Sequence, residues 1–477
     1  MAYALIMVPL IMAAIAAAVP FNRIRPWLLP ITGSLHLVLT GVALFRPDLD
    51  TGHAWLVLDP PGKIILLQIS VLNFLCAFYA VGYLAYRRDR SNRVFCVCLL
   101  TFLGVMSLVT WSHHLGLMWV AMETTTLVTA PLIYFNRTQR SIEATWKYLL
   151  VGSVGIALAL LGTFFLGYAA LHADLEPSLT FENLLPHAPA LSKPWLHAAF
   201  VLLLVGYGTK MGLAPMHTWK PDAYGEAPGV VGAILAGGVT NCAFLALLRV
   251  YHICSAAGED AYTSRLLLAM GLMSMAIAGI FMVGQRDFKR MLAYSSVEHM
   301  GILTVGLGIG PAALFGTLLH VVMNGMTKGV LFLSAGNIHR AFGSKSIDQV
   351  RGAIRLLPMS GSLFLAGFLA ITGSPPFGPF ISEFAILNGA FDTRRFGVAG
   401  LFLFLLLLVF IGMGATVLQV VQGQPPARVR QNVYRDGWLT VTPIVLFMVL
   451  VLVLGLYIPE PLIALVNEAV RYMEVRP

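Results

Sequence analysis

Apolar residues in this chain fall in long uninterrupted runs, not in the strict alternation of half-buried strands. A helix needs about 20 apolar residues to cross roughly 30 Å of hydrocarbon. About fourteen runs meet that requirement, near residues 2–20, 27–45, 63–86, 94–111, 114–135, 145–171, 195–214, 228–251, 264–284, 289–309, 311–338, 356–375, 397–421 and 438–458. Two of them are interrupted. The seventh breaks at Pro215 and resumes beyond it, and the twelfth breaks at Ser374-Pro375-Pro376 before continuing as 377–390. Proline removes a backbone donor, and backbone freed at membrane depth must find partners in protein or water. The pattern predicts an all-α, polytopic membrane protein with discontinuous helices 7 and 12.

Composition agrees. The 477 residues are 58% hydrophobic and 11% charged, against about 25% charged in soluble domains. The net charge of +9 could signal nucleic-acid binding, but the basic residues sit in short loops between spans. Loops after odd-numbered spans hold Arg23, Arg25, Arg87, Arg88, Arg90, Arg93, Arg137, Arg140, Arg286, Lys289, Arg290, Arg340, Lys345, Arg351, Arg355, Arg428, Arg430 and Arg435. Those after even-numbered spans hold only Arg46, Lys63, Lys193, Arg265, Arg394 and Arg395, with Asp174, Glu176 and Glu182. The positive-inside rule then puts the odd loops in the cytoplasm and both termini on the other side. The first twenty residues lack a basic n-region and read as a first span, not a cleaved signal. Cys76, Cys96, Cys98, Cys242 and Cys254 lie in or beside spans and read as buried thiols.

Ionisable residues inside spans carry the chemistry. They are Glu123 in span five, Lys147 in span six, Lys210 in span seven, Glu298 and His299 opening span ten, His320 and Lys328 in span eleven, and Glu383 after the break of span twelve. The separations are 175 residues from Glu123 to Glu298, 173 from Lys147 to His320 and 173 from Lys210 to Glu383 (298 minus 123, 320 minus 147, 383 minus 210). A near-constant offset predicts an internal repeat within one membrane domain, 1–477, with five-helix units at 94–251 and 264–421 flanked by helices at 2–86 and 438–458. An offset of five helices inverts the second unit. Inverted repeats with broken helices mark ion-translocating folds.

A buried carboxylate and lysine can exchange a proton without presenting an isolated charge. Glu123 and Lys210 are the candidate pair, with Lys147 a second partner for Glu123; the plainer reading is a structural ion pair between helices. His320, Asn324 and Lys328 are spaced by four and share one face of span eleven. A neutral imidazole that donates and accepts at once suits a relay. His320 has no His, Cys or carboxylate companion at ligand spacing, so no metal set is expected. The run 284–296 reads as a charge cluster anchoring span nine, and His113-His114 as interfacial. His217, Asp222 and Glu226 could gather protons at a cytoplasmic mouth. No dinucleotide or Walker motif and no haem or iron–sulfur pattern is present, which predicts no cofactor in this chain.

The segments MWVAMETTTL (118–127), GYGTKMGLAPMHTWKPDAYGEAP (206–228), FKRMLAYSSVEHMG (288–301) and SPPFGPFISEFAIL (374–387) resemble the antiporter-like, proton-translocating subunits of respiratory complex I and its relatives, over about residues 65 to 420. The wording SSVEHMG and GSPPFGPFISEF is most similar to component F of hydrogenase-4-type complexes. The resemblance implies a subunit of a multi-subunit oxidoreductase in a prokaryotic cell membrane, among other membrane subunits, with redox chemistry elsewhere driving proton movement. It maps the family's glutamate of span five onto Glu123, its broken-helix lysine onto Lys210, its relay onto His320 and Lys328, and its exit residue onto Glu383. It also implies an end after span fourteen, without a long lateral helix.

Three departures stand out. Span eight offers Asn241 where relatives often have lysine or histidine, so the central handover is in question. The family's HTWLPDAH is HTWKPDAY here, so that Lys220 and Tyr224 alter the field at the intake. Asn324 replaces a second histidine. Related subunits also serve multi-subunit sodium/proton antiporters and inorganic-carbon uptake complexes, with sodium a possible substitute for protons.

Overall fold

The structure, a computed structural model, describes the chain apart from residues 47–54, 88, 176–177, 431–433 and 475–477 and the side chains of residues 428 and 430. The loop charges at Arg88, Glu176, Arg428 and Arg430 therefore lie outside the described side chains.

Every expected span is a helix. They are α1 (Ala2–Ala18), α2 (Leu28–Phe45), α3 (Pro60–Tyr86), α4 (Arg93–Trp111), α5 (Leu115–Ile133) and α6 (Gln139–Leu171). The seventh span is split into α7 (Lys193–Met211) and α8 (Trp219–Glu226). Then follow α9 (Gly229–Ala256), α10 (Asp260–Met282), α11 (Phe288–Ile309) and α12 (Pro311–Phe342). The twelfth span is split into α13 (Pro358–Ile371) and α14 (Gly378–Asp392), followed by α15 (Phe396–Val421) and α16 (Trp438–Leu456). Ten of these helices are long and apolar enough to cross a membrane unaided. The exceptions are the short α1, both broken spans and α11. The two halves of the twelfth span, like α1, are too short to cross alone, at 14 and 15 residues, whereas α7 and α11 are long enough but carry the polar load of Lys210 and of Glu298 and His299.

A helix the run of apolar residues did not predict, α17 (Glu460–Glu474), follows. It is amphipathic: Leu462, Val466, Ala469 and Met473 form one buried stripe against α3 and α12. Glu468 pairs with Lys63 at 2.7 Å. Only four apolar anchors face inward, too few to register as a span.

Two helices form the centre. The membrane stretches of α9 and α12 are completely buried, and α12 touches α3, α9, α11, α13, α14 and α16. Within α9 the backbone makes a π turn at Leu235–Val239, where a Cβ on Gly237 would come within 2.8 Å of Leu72 Cδ2 and 3.2 Å of the Gly325 carbonyl. Glycine is what lets α3, α9 and α12 approach so closely there.

The 173-residue spacing relates helix starts only in part. Leu115 and Phe288 are 173 apart (288 minus 115), whereas the broken helices begin at Lys193 and Pro358, 165 apart (358 minus 193). Lys210 therefore precedes its break, while Glu383 follows the second one.

Candidate functional site

The first break is built locally. Gly212, with φ +78°, ends α7: the Leu213 N–H reaches the Gly208 carbonyl at 2.8 Å and the Gly212 N–H reaches Thr209 at 3.0 Å. This paired closure satisfies carbonyls that a helix end leaves open. Side chains do the rest. Trp219 Nε1 donates to the Thr209 carbonyl at 2.9 Å, Lys220 Nζ donates to the Met211 carbonyl, and the Ala214 N–H donates to Ser274 Oγ at 2.9 Å. The second break repeats the device at Gly373, φ +66°, with Ser374 N–H on the Leu369 carbonyl at 3.0 Å. Pro215 and Pro376 each follow a cis peptide bond, and Pro375 precedes the latter.

Lys210 sits in the last turn of α7, fully buried. Its Nζ lies 3.7 Å from Glu123 Oε2, close enough for an ion pair but beyond hydrogen-bond range. Glu123 accepts from Ser153 Oγ at 2.9 Å and Thr126 Oγ1 at 3.3 Å, and 22% of its side chain is exposed. Close packing of α6 on α7 sets this geometry: a Cβ on Gly206 would fall 2.7 Å from the Gly155 carbonyl.

Lys147 is not a second partner for Glu123. It pairs with Glu143 at 2.6 Å and Asp222 at 2.9 Å, because its place four residues after Glu143 turns it toward the helix end. There it lines a polar cavity of about 420 Å³ with Arg140, Glu143, Asp222, Glu226 and Arg290. Arg290 contacts Asp222 at 3.1 Å, and Lys345 contacts Glu226 at 2.5 Å. Asp222 and Glu226, the candidates for an acidic mouth, thus line one cavity, each carboxylate already paired to a cation. His217 is not among the cavity's lining residues; it faces the Tyr294 ring, 6.3 Å between centroids.

The second constellation lies wholly inside. Glu298 and His299 do not open their span but occupy the middle of α11, both buried. His299 Nδ1 and His320 Nε2 are 3.0 Å apart, and His320 Nδ1 meets Ser382 Oγ at 2.9 Å. Glu298 Oε2 lies 3.7 Å from His299 Nε2. Lys328 donates to Ser295 Oγ at 2.8 Å. Glu383, on α14, packs against Gly373, and its Oε1 has no partner among the described residues. His320 does have companions: ligand atoms of His299, His320 and Glu383 lie within 4.8 Å of one another. They could hold a metal ion, a possibility that spacing along α12 alone hid because its members come from three helices.

Between the halves, Asn241 donates to the Val321 carbonyl at 3.3 Å. Its Oδ1, both side-chain atoms of Asn324 and both of Gln68 are buried without a partner among the described residues. Gln68 adjoins Gly325 and Gly237. Sequence reading passed over Gln68; a lone glutamine amid the apolar run of α3 was its signal. Also unforeseen was His36, buried and held between Ser70 and Ser107 at 2.6 and 2.7 Å. Lys220 is another correction: it is buried inside the break and does not border the intake cavity. The run 284–296 leads into α11, which begins at Phe288, and its serines face this interior.

Broken helices, central buried lysines and a histidine pair define an antiporter-like membrane subunit. Residues 112–412 match the family described as NADH:quinone oxidoreductase/Mrp antiporter, transmembrane, and the chain belongs to that family. It is 35% identical over 470 residues to the Hydrogenase-4 component F homolog of Methylacidiphilum infernorum, covering 96% of each chain. It is 30% identical over 458 residues to NADH-quinone oxidoreductase subunit N of Desulforudis audaxviator, covering 91% of this chain and 86% of that one. A chain of the membrane-bound sulfane sulfur reductase, an archaeal respiratory membrane complex, shares its fold with a TM-score of 0.87 at 21% identity, over 99% of this chain and 97% of that one.

Proposed function

We propose that this chain is the proton-translocating subunit of a multi-subunit membrane oxidoreductase of the hydrogenase-4 and complex I type. Redox chemistry in neighbouring subunits drives it, and the chain binds no cofactor of its own. The observation that carries this reading is the set of ionisable groups beside and between the two breaks, Glu123 partly exposed and Lys210, Lys328, Glu298, His299, His320 and Glu383 buried. A buried ionisable residue in a membrane is costly and is retained where it moves charge. Protons enter from the cavity at Asp222 and Glu226; the excess of basic residues in the adjoining loops supports a cytoplasmic mouth, with both termini opposite. Glu123 and Lys210 hold them, and Glu383 releases them. Asn241, Asn324 and Gln68 order water along the central helices.

The test is Lys210→Ala in the assembled native complex. Proton translocation should fall by about a hundredfold or more while assembly on native gels is unchanged. Normal pumping by the assembled variant would refute the proposal. The family's Mrp antiporter members favour a second reading, a cation/proton antiporter subunit without a redox partner. Sodium-dependent proton release from vesicles in the absence of any electron donor would select it.

A further inference from the structure

We propose that Lys220 carries the proton between the two halves of the path, an assignment that rests on the function proposed above. Lys220 is completely buried, and among the described residues no carboxylate lies in ion-pair range of it. Its Nζ donates to the Met211 carbonyl, to the Ser296 carbonyl at 3.2 Å and to Ser296 Oγ at 3.0 Å. It also lies 5.7 Å from the centroid of the Tyr224 ring.

Those contacts join α7, in the first half, to α11, in the second. Met211 directly follows Lys210, the charge of the first half. Ser296 directly follows Ser295, which accepts from Lys328, the charge of the second half. One side chain thus touches the residue after Lys210 and the residue after the hydroxyl partner of Lys328. The site is also shaped for it: a Cβ at position 212 would run into Cδ and Cε of Lys220, so Gly212 leaves room for the lysine as well as for its own backbone angle.

A helix cap alone does not need this residue. Burying an ammonium without a counter-ion is costly, and a neutral amide could donate to the same carbonyls. What an amide cannot do is give up a proton and take another. In the transfer, one N–H bond of the Lys220 ammonium breaks and one forms on the Lys328 amine. Ser296 Oγ accepts that proton and gives up its own to a bridging water, which passes one to Ser295 Oγ; Ser295 passes its own to Lys328, and both hydroxyls and the water end unchanged. Lys220, now neutral, regains a proton as one N–H bond of the Lys210 ammonium breaks, water carrying the proton between the two amines.

The purified native complex in liposomes, given an imposed potassium diffusion potential and an internal pH dye, tests this. Lys220→Gln and Lys220→Arg should both slow proton movement by about a hundredfold in assembled complex, since arginine keeps the charge and the donors but does not deprotonate. Wild-type rates in either variant would overturn the proposal. If neither assembles, the Ser296 pair decides: Ser296→Ala should slow movement several-fold and Ser296→Thr, which keeps the hydroxyl, should restore it. Equal rates for Ser296→Ala and wild type would overturn the proposal. Lys210→Ala run alongside separates the two claims. If it too is fully active, the translocation reading itself falls; if it alone is inactive, only the role of Lys220 falls.

Discussion

Two ion pairs in this molecule, each with a buried cation, are built to opposite specifications. Arg249 of α9 grips Asp59 at the start of α3 through two hydrogen bonds of 2.8 Å. Its remaining donors reach the carbonyls of Val109, Thr110 and Ser112 at 2.7 to 3.1 Å, and both side chains are 3% exposed. Lys210 and Glu123 stand 3.7 Å apart, the lysine without a hydrogen-bond partner among the described residues and the carboxylate 22% exposed. A bidentate, fully satisfied pair has one state and resists change. A loose pair with one wet member can exist in several protonation states. Satisfaction, more than burial, separates a staple from a carrier.

Four measurements press on that contrast. Asp59→Asn leaves the Arg249 charge buried and unmatched, which costs about 3–5 kcal/mol; a large drop in thermal stability or loss of assembly is expected, and a stable Asp59→Asn protein would erase the distinction. Glu123→Gln should do the reverse, reducing proton translocation by at least about tenfold with little change in melting temperature. Exposure gives a chemical version of the same contrast. A water-soluble carbodiimide should modify Glu123 and spare Glu298 and Glu383, as read by peptide mass spectrometry, and equal labelling of all three would break it.

The smallest effect lies outside the membrane, at Glu259. Lys193 and, secondarily, His197 hold its carboxyl below the usual value of 4.5, through contacts of 2.8 and 2.7 Å. A depressed carboxylate stabilises the fold above its unfolded pKa and loses that contribution as pH falls through the folded one. Glu259→Gln should therefore lower stability at neutral pH by less than about 1 kcal/mol and match wild type once the pH has fallen through the folded carboxyl's lowered value. A difference that persists in acid would mean that packing, not charge, is responsible.

The helices and their two breaks were legible because hydropathy and proline act over a few residues in a row. Individual ionisable residues were legible too, since each is conspicuous in an apolar span. Their partners were not. Lys147 shares a sequence neighbourhood with Glu123's helix but points to Asp222; His320 gains His299 and Glu383 from other helices; Asp59 lies in a loop with nothing to mark it as the mate of Arg249. Lys220 read as a charge at the intake because it follows the break in a short polar segment, and only the fold of the break turns it inward. Pairing across helices depends on crossing geometry, which no single span encodes.

The π turn in α9 has a consequence for how relatives of this chain are compared. It holds one residue more than an α turn, which rotates everything after Val239 by about 100°. Asn241 meets Val321 and Arg249 meets Asp59 because of that rotation. An alignment with a relative lacking the turn must place its one-residue gap within Leu235–Val239. Set anywhere later, the gap would pair Asn241 with a residue that faces a different neighbour, and a lysine could be declared lost or kept by bookkeeping alone.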